Sequence, residues 1–349
     1  MKPSRYLLVT LTLLVLAVNA FSQSVVRDAR GLVVTDYERR TVVLPREAKR
    51  IVPLVPSALR ILVQVGAEDR IVAVDRKSAA AKATMLPFLS RPGLAKLPVV
   101  GDRKEPNLEA ILALGPDLVV TSSTADKADA LQAALGVPVL CVVSEPDEDY
   151  DILRLLGAVA GKQARAEELV AYLSKAADEL EAKVAAVPPA ARKRVYLGLF
   201  TNSGRFTQTM PVYQSLKLAG GVNVAAEVPA STSWGSVEVN QERLLAWDPE
   251  VVFVDWRETP AYLPREAFLG NAEFSTLQAV RKGRVHYSQT SHDGKDYAAA
   301  LAEAYYMASI LYPEAVPPAA AAEAAEGAYA TVYGLRGYYA AWTERFGIK

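Results

Sequence analysis

The stretch NLEAILALGPDLVV, residues 107–120, can be laid without a gap on NQERLLAWDPEVVF, residues 240–253, each position 133 residues further along. Both copies open on an asparagine whose side-chain oxygen suits the first free N–H groups of a helix. A short helix follows, then a proline beside an acid that ends it, then an apolar run of buried-strand length. A chain that carries this unit twice implies two lobes of related design.

The rest of the chain repeats the alternation. Strands are expected at Arg50–Val55, Ile71–Asp75, Leu97–Val100, Asp117–Thr121 and Pro138–Val143, then at Arg194–Phe200, Glu250–Asp255 and Arg284–Tyr287. Helices such as Ser57–Gly66 and Glu109–Leu114 fill the gaps. This order predicts an α/β fold: two Rossmann-like lobes with mainly parallel sheets. Between them Leu169, Leu173, Ala176, Leu180, Val184 and Val187 recur at helical spacing, and Pro188-Pro189 ends the run. A helix over Ala164–Val187 is roughly 36 Å long at 1.5 Å per residue, enough for a stiff strut joining two lobes. A further helix is expected over Ala319–Tyr333, and the tail aromatics Tyr338, Tyr339, Trp342 and Phe346 are read as packing residues. The expected organisation is a signal peptide over 1–22, a first lobe over 34–157, a connecting helix over 158–189, a second lobe over 190–316 and a helical tail over 317–349.

Lys2 and Arg5 precede the apolar run Leu7–Val18, and small residues at Ala20 and Ser22 suit a cleavage site. This is the layout of a secretory leader, too short to span a bilayer. No cysteine stands there to carry a lipid, so a periplasmic protein free of the membrane is expected. The 39 basic and 39 acidic side chains balance, which gives no reason to expect nucleic acid as a partner. The single cysteine, Cys141, reads as a core residue of a strand. Two histidines, His286 and His292, are too few for a multi-histidine site for a naked zinc or manganese ion. No resident cofactor or protein-held metal is expected; a bound metal would arrive inside a chelator.

Glu109 and Glu242 hold the same place in the two copies of the repeat. A glutamate in a first helical turn is favoured by the helix dipole, worth ~0.3–1 kcal/mol. Outward-facing acids on two related lobes also suit docking on a symmetric partner. Four ordered segments carry a resemblance that bears on this: VVTDYERRTVVLPREAKRIV, NLEAILALGPDLVV, VEVNQERLLAWDPEVVFVD and LQAVRKGRVHY. Together they resemble the iron-chelate and cobalamin binding proteins of ABC importers, from about Val34 to Pro313. The resemblance implies a non-catalytic protein of two lobes joined by a long helix. It also implies that Glu109 and Glu242 dock on arginines of a membrane permease. SALRILVQVGAEDRIVAVD and ALAEAYYMASILYP are similar to a subgroup associated with iron transport.

Ligands of open parallel sheets bind beyond the carboxyl ends of the strands. The candidate contacts are therefore loop residues: Ser57, Arg76, Lys77 and Arg103 in the first lobe, and Arg205, Tyr213, Trp256, Arg257 and His292 in the second. Trp234, between serine and glycine, matches a ligand-contacting stretch of the resembled family. Cations at strand ends favour an anion through charge-assisted hydrogen bonds. The expected ligand is a ferric siderophore. A molybdate or tungstate oxyanion is the alternative, caged by hydroxyls such as Ser57, Ser78, Ser122, Ser123, Thr201 and Ser203. A monomer is expected. The rival of another class, a secreted two-lobe enzyme, would use Glu145, His292 or Asp293, which lack the spacing of an acid–base pair or triad.

Overall fold

In the computed structural model the described residues are 24–142, 150–199, 206–232, 235–255, 264–288 and 296–345. The described residues begin with an antiparallel meander outside the strands expected from sequence: β1 (Ser24–Asp28), β2 (Gly31–Thr35) and β3 (Thr41–Leu44). Its last turn is organised by Asp36, whose carboxylate accepts the N–H groups of Glu38 (3.0 Å) and Arg40 (2.9 Å). The same carboxylate takes the N–H of Cys141 at 3.0 Å and the Arg40 guanidinium at 2.9 Å, while Arg40 also donates to Val139 O. Asp36 therefore clamps the meander onto the edge of the first-lobe sheet. Cys141 is buried there, as expected of a core residue, and burial pushes its thiol up to about 12.

The first lobe contains β4 (Ile51–Pro53), α1 (Pro56–Gln64), α2 (Arg76–Ala80), α3 (Leu86–Ser90), α4 (Leu108–Ala113), β5 (Leu118–Thr121), α5 (Ala125–Leu135), β6 (Val139–Cys141) and α6 (Asp151–Val159). Strands β4, β5 and β6 are parallel and adjacent in that order. The strands expected at Ile71–Asp75 and Leu97–Val100 reduce to single parallel bridges, Ile51 to Ile71 and Val74 to Val99. Pro98 has no N–H to give, which suits it to a frayed edge.

The long helix α7 (Gln163–Ala185) is the predicted strut, about 35 Å at 1.5 Å per residue. Leu169, Leu173, Leu180 and Val184 are buried along it. It packs on α6 at the first lobe and on α8 and α12 at the second. Close approach at its end requires Gly220: at φ 71° a Cβ there would collide with the Val184 side chain.

The second lobe contains β7 (Arg194–Gly198), β8 (Gln208–Thr209), α8 (Gln214–Leu218), β9 (Val222–Asn223), β10 (Val237–Glu238), α9 (Gln241–Trp247), β11 (Val251–Asp255), α10 (Pro264–Gly270), α11 (Gln278–Arg281), β12 (Val285–Ser288) and α12 (Tyr297–Leu311). Its main sheet is parallel in the order β12, β11, β7, β9. The internal repeat extends to hydrogen bonds. Asp117 gives its N–H to Arg50 O at 2.9 Å and takes the Arg50 N–H on its carboxylate at 2.8 Å. Glu250, at the equivalent position, gives its N–H to Arg194 O at 2.9 Å and takes the Arg194 N–H at 3.0 Å. In each lobe the acid after the proline thus sets the register of the strand beside it.

The tail forms α13 (Pro318–Tyr333) and α14 (Tyr338–Arg345). Helix α13 packs on α12 and also reaches the first lobe, where Gln64 donates to the Tyr333 hydroxyl at 2.8 Å and Arg91 to Tyr333 O at 3.1 Å. Tyr339 and Trp342 are buried and stacked, in line with a packing role; Phe346 lies outside the described residues.

His286 on β12 is tucked against Phe253. Burial, with Arg265 and Arg284 nearby, pushes its pKa down to about 4. A depressed imidazole contributes stability above its unfolded value, which is lost as pH falls through the folded one. His286→Phe should therefore flatten the fall in stability between pH 6.5 and about 4, up to about 3 kcal/mol at roughly 1.4 kcal/mol per unit. Urea midpoints measured across that range check this, and parallel curves for variant and parent would contradict it.

Candidate ligand cleft and docking faces

At the carboxyl end of β4 the chain turns directly into α1, with Pro56 at its start and Ser57 buried in its first turn. Arg103 lies alongside, its N–H given to Leu54 O at 3.0 Å. Its side chain is exposed and makes no ion pair among the described residues. After Val74, Asp75 caps α2 by accepting the N–H groups of Lys77 and Ser78, both at 3.0 Å, and the Ser78 hydroxyl. Burial raises the Asp75 carboxyl above its ordinary range, although those donors pull it back. Lys77 is exposed on the first turn, without an ion pair among the described residues.

Arg76 pairs within its own lobe, with Asp102 at 2.8 Å and Glu105 at 3.0 Å, while its side chain stays 55% exposed. Burial lifts the Asp102 carboxyl, but Arg76 and the N–H groups of Lys104 and Glu105 more than reverse this and hold it low. Ser78, offered as a hydroxyl for an oxyanion, donates to Asp75 instead. At the end of β5, Thr121 and Ser123 hydroxyls pair at 3.0 Å, whereas the buried Ser122 hydroxyl has no partner among the described residues.

In the second lobe, Arg205, Trp234, Trp256, Arg257 and His292 lie outside the described residues. Tyr213 is described and buried, and its hydroxyl is turned into the lobe, donating to Glu303 at 2.8 Å. Glu303 also accepts from Ser288, the last residue of β12. Ser288 stands in register with Asp255, the last residue of β11, and all three polar side chains are fully buried. The Tyr213 hydroxyl is thus engaged inside the lobe. The Ser288–Glu303 pair was missed from sequence. Its one signal is a lone acid in the apolar helix ALAEAYYMASIL. Among the described residues no group of three His, Cys, Asp or Glu side chains is placed to hold a metal ion.

The two repeat glutamates share one geometry. Asn107 caps α4 by accepting the Ala110 N–H at 3.0 Å, and Asn240 caps α9 by accepting the Arg243 N–H at 2.9 Å. Glu109 and Glu242 follow two residues later in each first turn, both exposed and without an ion pair among the described residues. Beside Glu109 the surface is apolar, with Leu108 and Leu112 exposed.

Two parallel-sheet lobes of matching design, a helical strut between them and free acids at equivalent outer positions define a two-lobe solute-binding protein. Residues 51–290 match the family model described as periplasmic binding protein, and the chain belongs to that family. It is similar to the molybdate-binding protein of Haemophilus influenzae, 27% identical over 316 residues that cover 81% of this chain and 85% of the relative. It is also similar to the Fe(3+)-citrate-binding protein of Bacillus subtilis, 25% identical over 77% of this chain and 81% of the relative. In fold it resembles an ABC transporter solute-binding protein of Sulfurospirillum deleyianum, with a TM-score of 0.72 at 24% identity, covering 92% of this chain and all of the other. The chain is thus the substrate-binding component of an ABC transporter, a partner of a membrane permease that binds a small ligand. The secreted-enzyme alternative is overturned by these relationships. No helix among the described residues is long and apolar enough to cross a membrane.

Proposed function

We propose that the chain captures a ferric-siderophore-type iron chelate between its lobes, outside the cytoplasm, and hands it to the permease. The observation that carries this reading is the pair of free cations, Lys77 and Arg103, at the carboxyl ends of first-lobe strands. They favour an anionic ligand through charge-assisted hydrogen bonds. A relative that binds Fe(3+)-citrate supports an iron chelate. Arg205, Trp234, Trp256, Arg257 and His292 are the second-lobe contacts proposed for it, and Ser57 is a further first-lobe contact. Glu109 and Glu242 are proposed to dock on the permease.

A second reading, a molybdate or tungstate oxyanion, is favoured by the buried Ser122 hydroxyl, which lacks a partner among the described residues and sits at a strand end. The molybdate-binding relative points the same way. The leader over 1–22, the lobe boundaries at 157, 189 and 316 and the monomeric state belong to the same proposal. Titration of the purified protein with ferric citrate and ferric hydroxamates in one series, and molybdate and tungstate in another, separates the readings by tryptophan fluorescence. Saturable change with a ferric chelate is expected. Saturation by the oxyanions alone would replace the iron reading with the oxyanion one.

A further inference from the structure

We propose that a cavity between α7, α8 and α12 is a second small-molecule site, one that takes an organic cation with an apolar body. The cavity encloses about 290 Å³, near the lower end of the ~300–1,000 Å³ typical of small-molecule sites. The five described residues among the ten predicted to contact the transported ligand, Ser57, Arg76, Lys77, Arg103 and Tyr213, do not line it. Three helices build most of its walls, and Tyr150 joins them from the segment between β6 and α6.

Its chemistry falls into three parts. The floor is apolar, from Leu173 of α7, Leu218 of α8 and Leu301 of α12. One wall is a tyrosine pair, Tyr150 and Tyr297, with ring centroids 5.1 Å apart and planes inclined at 48°. The mouth carries Asp178 and Glu181, one helical turn apart on α7, both exposed and neither in an ion pair among the described residues. Lys217 is the only cation among the described lining residues, so acids outnumber it two to one.

Tyr150 ties these parts together. Burial raises its phenol above the ordinary range; Ser174 opposes the shift, and the negative charges of Asp178 and Glu181 reinforce it. The ring therefore stays neutral, close to both carboxylates, with its electron-rich face available to a cation. Its backbone is left-handed, φ 59° and ψ 21°, a strained conformation for a bulky side chain that persists only where surrounding contacts enforce it. Those contacts are Ser174 on the strut and Tyr297 on the second lobe. An ammonium group at the carboxylates, with its apolar body against the leucines and the ring pair, suits this lining, in which two acids outweigh the one described cation, Lys217. An anion of the same shape would meet two like charges.

The test is calorimetric titration of the protein with 2-phenylethylammonium chloride and, separately, with sodium 3-phenylpropanoate, which has a similar body and the opposite charge. Saturable binding of the ammonium alone is expected. It should weaken about tenfold or more in Asp178→Asn/Glu181→Gln, the scale of losing charge-assisted contacts, and in Ala177→Phe, which fills the space. The Asn/Gln pair is isosteric and exposed, so it reads the site without disturbing the core. No saturable binding, equal binding of the two probes, or undiminished binding in the Asn/Gln pair would overturn the proposal.

Discussion

Arg60→Ala is expected to lower the stability of the protein by about 1–3 kcal/mol, because it truncates a buried side chain and removes a positive charge that acts on the buried Asp296 carboxyl. Arg60 is 2% exposed on α1 of the first lobe, and Asp296 is 4% exposed at the start of α12 in the second. Asp296 caps α12 through the N–H groups of Ala298 (3.0 Å) and Ala299 (3.3 Å), and accepts from the Tyr333 hydroxyl of the tail. Gln64 of α1 donates to that hydroxyl in turn. The network thus joins the first lobe, the second lobe and the tail around one carboxylate. Burial raises the Asp296 carboxyl, and Tyr333 and the charge of Arg60 hold the rise down.

Removing Arg60 lets that pKa rise further. A carboxyl raised in the folded state contributes stability below its unfolded value, and this is lost as pH rises through the folded value. The defect of Arg60→Ala should therefore narrow in acid and deepen toward neutral pH. Arg60→Met with Asp296→Asn should recover part of the loss, because asparagine still caps the helix and no charge remains buried. Urea midpoints at two pH values measure all three. An unchanged midpoint in Arg60→Ala would show that Asp296 finds its compensation elsewhere.

Glu109→Ala with Glu242→Ala is expected to abolish uptake while leaving ligand affinity unchanged. Both acids are exposed at the outer starts of α4 and α9, free of ion pairs among the described residues. Nothing within the fold depends on them beyond a helix-dipole term of ~0.3–1 kcal/mol each. At an interface, cutting one member of a close charge pair costs ~2–5 kcal/mol, so each substitution should weaken docking about 30-fold or more. Transport into proteoliposomes that hold the cognate permease, paired with ligand titration of the free protein, separates the two effects. Retained uptake would remove the glutamates from the docking face, and lost ligand affinity would move them into the cleft.

The fold was legible because its signals are local and periodic. The two copies of helix, proline–acid turn and strand survive at a constant offset, and Asp117 and Glu250 make the same pair of hydrogen bonds in each lobe. The strut was legible because a single helix repeats its apolar face, from Leu169 to Val184, at a period visible in the chain. The meander at the start was missed because its short strands carry charged turns. It is held by the long-range clamp of Asp36 on Cys141, which no local pattern announces.

The site was legible only as a set of loops. Lys77 and Arg103 are exposed cations at strand ends, as their positions suggested. Arg76, two residues past Val74, looked the same in sequence and is neutralised by Asp102 and Glu105, which lie 26 and 29 residues further along the chain. Tyr213 looked free and is bound to Glu303, 90 residues away.

The sequence by itself therefore determined the two α/β lobes, the strut and the pair of equivalent glutamates, because each rests on spacing within a few turns or on an internal repeat, while the family was legible only through the resemblance of four ordered segments. Only the tertiary structure decided which polar side chains are spent inside the protein: Ser78 on Asp75, Tyr213 on Glu303 and Asp296 on Tyr333. Burial removes water as a competitor, so a buried polar group must find its partner wherever the fold brings one. Sequence distance carries no record of that choice.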